Sequence, residues 1–414
     1  MPLRVLRRTA CTLRTAEAER ILSRERLLSI GLYIHVPFCR SKCPYCAFYF
    51  VVGRAELRGR YVDALVAEIG RAADRVPFAG RTLSSVYFGG GTPAVLEPAE
   101  VARVVRAAAA AFGLEPDAEV SLEANPDRLD ASRIAGFREA GVNRLTLGFQ
   151  ATRPLRLRAL GRTHSPGDSL RAYEAARAAG FENIAIDLIF GTPGQDAASW
   201  AAEVEEVAAL APEHVSVYEL TPEEGTRLAR HLREERVRLP DSDTRADMFD
   251  DAGEVLGRYG LERYEISNFA RAHRECRHNA DAWRGLDAIG VGASAASHAG
   301  NARWTNVADL DAYIARIESG EDATAEREIL DEGTWAAEDL YLGLRLMEGI
   351  DATARLARLP EPARERITAV LETARAAGLL ATGGGRFRLT QRGLLLADSV
   401  FEDLLTDVRP TAGR

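Results

Sequence analysis

Along residues 30–225 the hydrophobic pattern repeats one unit: a short run rich in β-branched and aromatic residues, a glycine or polar turn, then a longer alanine-rich stretch. The short runs are Leu32 to Val36, Ser85 to Phe88, Glu119 to Leu122, Arg144 to Leu147, Asn183 to Ile189 and His214 to Tyr218. The longer stretches include Leu57 to Ala73, Pro98 to Phe112, Asp168 to Ala179 and Ala198 to Leu210. Strands alternating with helices predict an α/β protein with a parallel sheet, because a helical crossover returns the chain to the same end of the sheet. Such a sheet either curls into a partial barrel or stays open and doubly wound, and periodicity does not choose between them.

After Pro222 the pattern changes to a helix around Thr244 to Tyr259 and an irregular stretch, rich in polar and aromatic residues, from Tyr264 to Trp304. The last segment carries helical runs Thr334 to Met347 and Glu361 to Ala376, then Leu379 to Thr382, three glycines (Gly383 to Gly385), Phe387 to Thr390 and a closing helix. Helices followed by a glycine-turned hairpin predict a winged-helix-like module. The expected divisions are an N-terminal extension over 1–29, expected to be poorly ordered, the α/β core over 30–225, its extension over 226–324, and a smaller helical, winged-helix-like domain over 325–414.

Composition narrows the class. With 414 residues, 46% hydrophobic and 28% charged, the chain can bury a sizeable core, which excludes a disordered or fibrous protein. No run approaches the ~18 to 20 apolar residues of a membrane-spanning helix, and the longest apolar stretch, Ile30 to Cys39, contains His35 and Pro37. The net charge of -8 argues against a general nucleic-acid or anionic-membrane binder. The winged-helix-like segment holds 13 acidic residues against 11 arginines over 331–414, which lacks the basic face that phosphate contacts need. Residues 1–16 carry Arg4, Arg7, Arg8 and Arg14 and no acid, the composition of an organelle-targeting peptide or of an over-extended start; the second reading is preferred, and no secretory signal follows. The chain has a single lysine, Lys42, which reads as genomic composition bias.

The cysteines carry the chemistry. Five is an odd number and three of them, Cys39, Cys43 and Cys46, fall within eight residues, unlike a secreted disulfide framework; a reducing cytoplasm is the natural setting. Their CxxxCxxC spacing follows directly on the first predicted strand. Three soft thiolates on one loop suit iron or zinc, and structural zinc asks for four ligands, so Cys276 as a fourth thiol keeps a zinc site open while Cys11 is isolated. Three thiolates on a 4Fe-4S cube leave one iron open to a small molecule.

With Tyr45 before its last cysteine, this loop resembles the cluster motif of the radical S-adenosylmethionine (SAM) superfamily. The resemblance implies a partial (β/α)6 radical SAM barrel, a 4Fe-4S cluster on Cys39, Cys43 and Cys46, and SAM chelated to the open iron. The segment Tyr87 to Pro93 resembles the superfamily's glycine-rich stretch, placing Gly90, Gly91 and Thr92 against SAM. Glu123, Gln150, Asp187 and Thr221 sit at or near successive strand ends, where polar groups converge on one cavity. The set resembles the SAM pocket of the coproporphyrinogen oxidase branch, in which Tyr33, Thr92 and Arg162 occupy matching positions; the resemblance implies that Arg162 pairs with the SAM carboxylate and that Tyr45 also contacts SAM.

Further blocks, Ile189 to Gln195, Val217 to Thr226, Tyr264 to Ala270 and Arg277 to Trp283, resemble oxygen-independent coproporphyrinogen III oxidases and their relatives, the HemW-type haem chaperones. The oxidases carry a further cysteine two residues after the third cluster ligand, where this chain has Phe48; with the His278-Asn279 block, this favours the chaperones. Two departures stand out: Ala282 replaces the tyrosine expected before Trp283, and Gly290 to Ser297 lacks the proline and histidine common in that stretch, with His298 a neighbouring substitute. The expected function is a cytoplasmic haem chaperone that binds a cluster, SAM and haem and hands haem to an acceptor such as a respiratory enzyme. His278 is the candidate haem contact or else a satisfied core histidine. An electron donor is the other partner implied. Two alternatives remain: a coproporphyrinogen dehydrogenase that forms protoporphyrinogen IX by SAM-derived radical chemistry, with the cluster as its only assigned catalytic group, and a cluster- or zinc-containing regulator.

Overall fold

A computed structural model describes residues 29–406 apart from 358. The expected N-terminal extension, up to residue 28, and Cys11 with it lie outside the described residues.

Six strands, β1 (Ser29–Val36), β2 (Thr82–Gly90), β3 (Leu114–Ala124), β4 (Arg144–Gln150), β5 (Ile184–Phe190) and β6 (His214–Glu219), run parallel in chain order. Helices α1 (Arg58–Ala73), α2 (Pro98–Phe112), α3 (Ala131–Glu139), α4 (Pro166–Ala178) and α5 (Ala197–Ala209) make the crossovers, and α6 (Ser242–Arg258) follows β6. Helix starts carry local signals: Ser165 and Asp168 close a capping box on α4, and Asp130 and Asp196 accept from backbone amides at the starts of α3 and α5. Helix α3 is not foreseen by the hydrophobic pattern, because it buries only Ile134 and Phe137.

Each strand alternates. In β1, Ile30, Leu32, Ile34 and Val36 belong to the main apolar core, while Tyr33 and His35 face the side chains of other strands. The same division puts Val86, Phe88, Val120, Leu122, Leu145, Leu147, Ile186 and Leu188 in that core. It leaves Ser85, Tyr87, Glu119, Ser121, Glu123, Arg144, Thr146, Asp187, His214 and Ser216 for the inner face. Because the strand period is two, a polar inner face is already written in the sequence. A barrel filled this way holds a ligand-ready interior rather than an oily plug.

The stretch from Tyr264 to Trp304, expected to be irregular, is instead ordered. It contains β7 (Asn268–Ala270), α7 (Arg277–Trp283), β8 (Ala288–Val291) and β9 (Ala296–Ala299), and β10 (Ala302–Asn306) follows, with β11 (Thr324–Ile329) beyond it. These strands are too short and too rich in glycine and alanine to give a period-two signal; sheet pairing defines them. β8 adds a seventh parallel strand beside β1, β9 to β11 continue antiparallel from it, and β7 with Glu262–Arg263 caps the β6 edge. The edges do not pair with each other, so the twelve-stranded sheet is a partial barrel.

The C-terminal helices α8 (Leu310–Glu318), α9 (Glu332–Leu344), α10 (Glu361–Ala376) and α11 (Ala397–Leu405) flank the foreseen hairpin of Leu380–Gly383 with Arg386–Leu389. Leu340, Leu344, Ile367, Leu371 and Leu404 join the same apolar cluster as the barrel, so the C-terminal helices extend the main core. Among the described residues no helix is long and apolar enough to cross a membrane.

Candidate functional site

Chain direction places the C-terminal ends of β1 to β6 around one cavity of about 810 Å³. Cys39, Cys43, Tyr45, Cys46, Gly90, Gly91, Thr92, Glu123, Gln150, Arg162, Asp187 and Thr221 all line it. Residues far apart in sequence thus meet because parallel strands end on the same side.

The cysteine loop leaves β1 and is closed by a two-residue parallel pairing of Phe38–Cys39 with Val51–Val52. All three thiols are unpaired, and the Cys39 Sγ lies 3.6 Å from the Thr92 hydroxyl. Burial pushes Cys39 up to about 11 and Cys46 upward as well, so an apolar setting without a metal keeps these two protonated. Among the described residues no three His, Cys, Asp or Glu side chains converge as a site for a single metal ion. Cys276 is buried elsewhere, with its thiol 3.6 Å from Glu119 Oε1, so it is not grouped with the loop thiols. Three thiols around a cavity, with no fourth thiol or imidazole beside them among the described residues, fit an iron-sulfur cluster better than structural zinc.

Gly90 and Gly91 let the second strand end press on this loop. Gly90 has φ +108°, and a Cβ there would stand 2.6 Å from the His35 ring; one on Gly91 would stand 2.8 Å from the Pro37 backbone. The Gly91 and Thr92 amides donate to Val36 and Phe38 carbonyls at 2.9 Å. We expect Gly90→Ala to lose about 1–3 kcal/mol of stability, because left-handed strain adds to overpacking of His35. Chemical denaturation of the two proteins measures this.

On the opposite side Gly161, at φ +66°, packs against the Pro44 ring, bringing Arg162 to the cysteine loop. The Arg162 guanidinium donates to Cys43 Sγ at 3.6 Å, to the Gly148 carbonyl at 3.3 Å and to Asn125 Oδ1. Asn125 in turn donates to Thr92 Oγ1 at 3.1 Å, so one network joins the ends of β2, β3 and β4 to the cysteines. Tyr45 packs against the small apolar cluster of Leu157, Leu160, Ile189 and Leu220, which holds the loop on this side. At the end of β4 the register slips between Leu147 and Gln150, and Gln150 takes a left-handed φ of +67°; a non-glycine residue held this way is a strained site feature.

Two carboxyls form the floor. Burial and the neighbouring Asp187 raise Glu123 to about 7, opposed by a 2.6 Å hydrogen bond from the Tyr87 hydroxyl. Burial raises Asp187 to about 6, and its Oδ1 is buried with no protein partner. A pair of carboxyls with raised values, one of them with a buried unpartnered oxygen, suits a cationic or hydroxyl-bearing ligand.

Tyr33 and His278 do not line the cavity. Tyr33 bonds His35 Nδ1 at 3.1 Å and stacks on Tyr87 and His278, with ring centroids 6.2 Å away in each case. His278, on α7, lies toward the N-terminal strand ends, its Nδ1 3.0 Å from the Ser85 hydroxyl and its ring 5.1 Å from that of Tyr87. Burial lowers it to about 4, so it is a neutral imidazole at the barrel bottom. His298 and the Gly290 to Ser297 stretch also stay away from the cavity. Sequence reasoning missed Asn125, His35, Tyr87 and the fully buried Arg144. The last three share the inner-face alternation, and Asn125 directly follows the strand-end Glu123-Ala124, so the signals were present.

A Radical SAM superfamily model matches residues 33–211 and a HemN C-terminal domain model residues 334–396. Heme chaperone HemW of Mycobacterium tuberculosis is 39% identical over 379 residues, covering 91% of this chain and 94% of the relative. The chain belongs to the HemW family of the radical SAM superfamily. HemW of Bacillus subtilis is 32% identical, covering 91% of this chain and 99% of its own. Radical S-adenosyl methionine domain-containing protein 1, mitochondrial, of Danio rerio is 31% identical, covering 96% and 91%. Among solved structures, coproporphyrinogen III oxidase (HemN) from Escherichia coli, a radical SAM enzyme, superposes with a TM-score of 0.78 at 25% identity, covering 91% of this chain and 90% of that one. The partial barrel and C-terminal helical domain are thus those of the family, and a 4Fe-4S cluster and SAM are the cofactors that the superfamily implies.

Proposed function

We propose that this chain is a cytoplasmic haem chaperone, which binds haem and passes it to an acceptor protein such as a respiratory enzyme. Likeness to HemW proteins over nine-tenths of the chain carries this reading. Phe48 supports it, standing where the oxidases of the resemblance have a cysteine. Cys39, Cys43 and Cys46 would hold the cluster, and the floor and walls formed by Gly90, Gly91, Thr92, Glu123, Gln150, Arg162, Asp187 and Thr221 would hold SAM. Tyr45 buttresses the loop, and Tyr33 acts from beneath. Held by these three cysteines, a 4Fe-4S cluster would supply an open position for SAM and an electron for its cleavage. The protein's own contribution is orientation and exclusion of water, with Arg162 as a fixed positive charge at the thiolate edge.

The floor carboxyls give a pH signature. Their folded values, about 7 and 6, lie above the ordinary 4.5 and 3.8, so the fold favours the protonated forms. Ligand-free protein should therefore lose stability as pH rises from about 4 to 7, and level off above. A sulfonium or ammonium ligand favours the ionised forms, so SAM affinity should rise between pH 5 and 8. Calorimetry on reconstituted protein checks this, and Glu123→Gln should flatten the rise; a pH-independent affinity in wild type would remove these carboxyls from the pocket.

The second reading, a coproporphyrinogen dehydrogenase, is favoured by the superposition on HemN. The deciding experiment is anaerobic reconstitution with iron and sulfide, then haem titration and assay with SAM, reductant and coproporphyrinogen III. Haem binding without decarboxylation supports the chaperone; sustained formation of protoporphyrinogen IX replaces it with the enzyme.

A further inference from the structure

Resting on that haem-binding reading, we infer that haem seats at the mouth of this same cavity, its macrocycle against Phe48 and Phe50 and its propionates on Arg40 and Arg128. The cavity has a polar floor and a differently built rim. Phe48 is 74% exposed, a large apolar ring in water beside the opening, and Phe50 lines the same wall with the Lys42 ammonium 5.5 Å from its ring centre. Val95 and Leu129 add apolar surface to the cavity lining. These residues come from the cysteine loop, the turn after β2 and the loop after β3, which the Asn125 to Thr92 and Thr92 to Phe38 hydrogen bonds hold together.

Two exposed cations belong to the same lining. Arg40 and Arg128 both line the cavity, both are exposed, and among the described residues neither has an ion pair or hydrogen bond. Arg128 is held at a left-handed φ of +56°. The third arginine that lines the cavity, Arg162, is engaged with Cys43, Asn125 and Gly148. The carboxylates that line the outer cavity are Asp127, Glu219 and Glu223, of which Glu219 is offset by Arg245 at 2.8 Å. An exposed aromatic wall flanked by free guanidinium groups matches a flat apolar ring that carries two carboxylates.

No histidine is among the residues lining the cavity. Haem held here would rest on ring stacking and ion pairs rather than on imidazole ligation, a grip suited to a carrier that must release it. The assignment therefore separates the haem contact from His278, which lies among Ser85, Tyr33 and Tyr87 at the barrel bottom.

The test is haem titration, followed by the Soret band, of reconstituted full-length protein and of Phe48→Ala, the double variant Arg40→Glu/Arg128→Glu, Arg128→Glu alone and His278→Ala, each checked for cluster absorbance. Phe48→Ala and the double variant should weaken haem about ten-fold or more, and His278→Ala should bind as wild type. Haem dimethyl ester, with its propionates masked, should bind wild type and the double variant alike. Arg128→Glu lies outside the cysteine loop, so its expected weakening of haem does not depend on cluster assembly. Wild-type haem affinity in both Phe48→Ala and the double variant, or loss of binding confined to His278→Ala, overturns the site. Wild-type protein that takes up no haem at all overturns the chaperone reading itself.

Discussion

Cys43→Ala protein, reconstituted with iron and sulfide without oxygen, is expected to lack the broad visible absorbance of an iron-sulfur cluster, whereas Cys276→Ala protein should retain it. Cys43 is one of three thiols on a loop anchored by β1, by the pairing of residues 38–39 with 51–52, and by the Arg162 network. With only two thiolates left, two irons lack protein ligands, and among the described residues no other thiol or imidazole lines the cavity to replace the lost one. Cys276 is bonded to Glu119 inside the barrel and does not line the cavity. Iron analysis alongside the spectrum gives a second readout, and a cluster that survives in Cys43→Ala but fails in Cys276→Ala would reassign the ligands.

The second large effect concerns how the loop is braced from behind. Glu68 on α1 accepts from the Gly292 amide at 2.8 Å, the Asn306 carboxamide at 2.7 Å and the Tyr313 hydroxyl at 2.6 Å. Tyr61, one helical turn pair earlier, donates to the His35 carbonyl at 2.7 Å and accepts from the Ala293 amide at 3.0 Å. Together they fasten β8, β10 and α8 to the strand that delivers the cysteines. Glu68→Ala leaves an amide, a carboxamide and a phenol without their acceptor, each worth ~1–3 kcal/mol if water does not reach it, so a net loss of about 2–4 kcal/mol is expected. The Gly292 and Tyr313 donors share one carboxyl oxygen, which a glutamine keeps, so Glu68→Gln should cost distinctly less. Urea unfolding of the three proteins measures both steps, and equal losses in Ala and Gln would show that the charge matters more than the acceptor.

The Gly290 to Ser297 stretch illustrates what a departure from a motif means physically. It lacks the proline and histidine that the family resemblance leads one to expect, yet it stays away from the cavity. Gly292 and Ala293 offer their amides to Glu68 and Tyr61, and a Cβ on Gly290 would collide with the Ala296 carbonyl at 2.2 Å. Backbone geometry and backbone amides, rather than side chains that reach the cavity, are what this stretch supplies.

Much of the site was legible because its signals are local. The CxxxCxxC spacing, the glycine triplet and the short β-branched runs of β1 to β6 are properties of neighbouring residues, and parallel crossovers oblige strand ends to gather on one side. The strands between Ala288 and Asn306 were not legible, since four- and five-residue strands of small side chains exist only through their partners. The same holds for the position of His278: its block looks like a ligand motif in one dimension, but α7 carries it to the N-terminal strand ends, beside Gly31 and Ser85. The sequence alone therefore determined the α/β class, the thiol trio and the polar residues at the strand ends, because each depends on spacing along the chain. Only the tertiary structure decided which of those polar groups share the cavity, because that depends on the barrel's two ends, which period and spacing cannot tell apart.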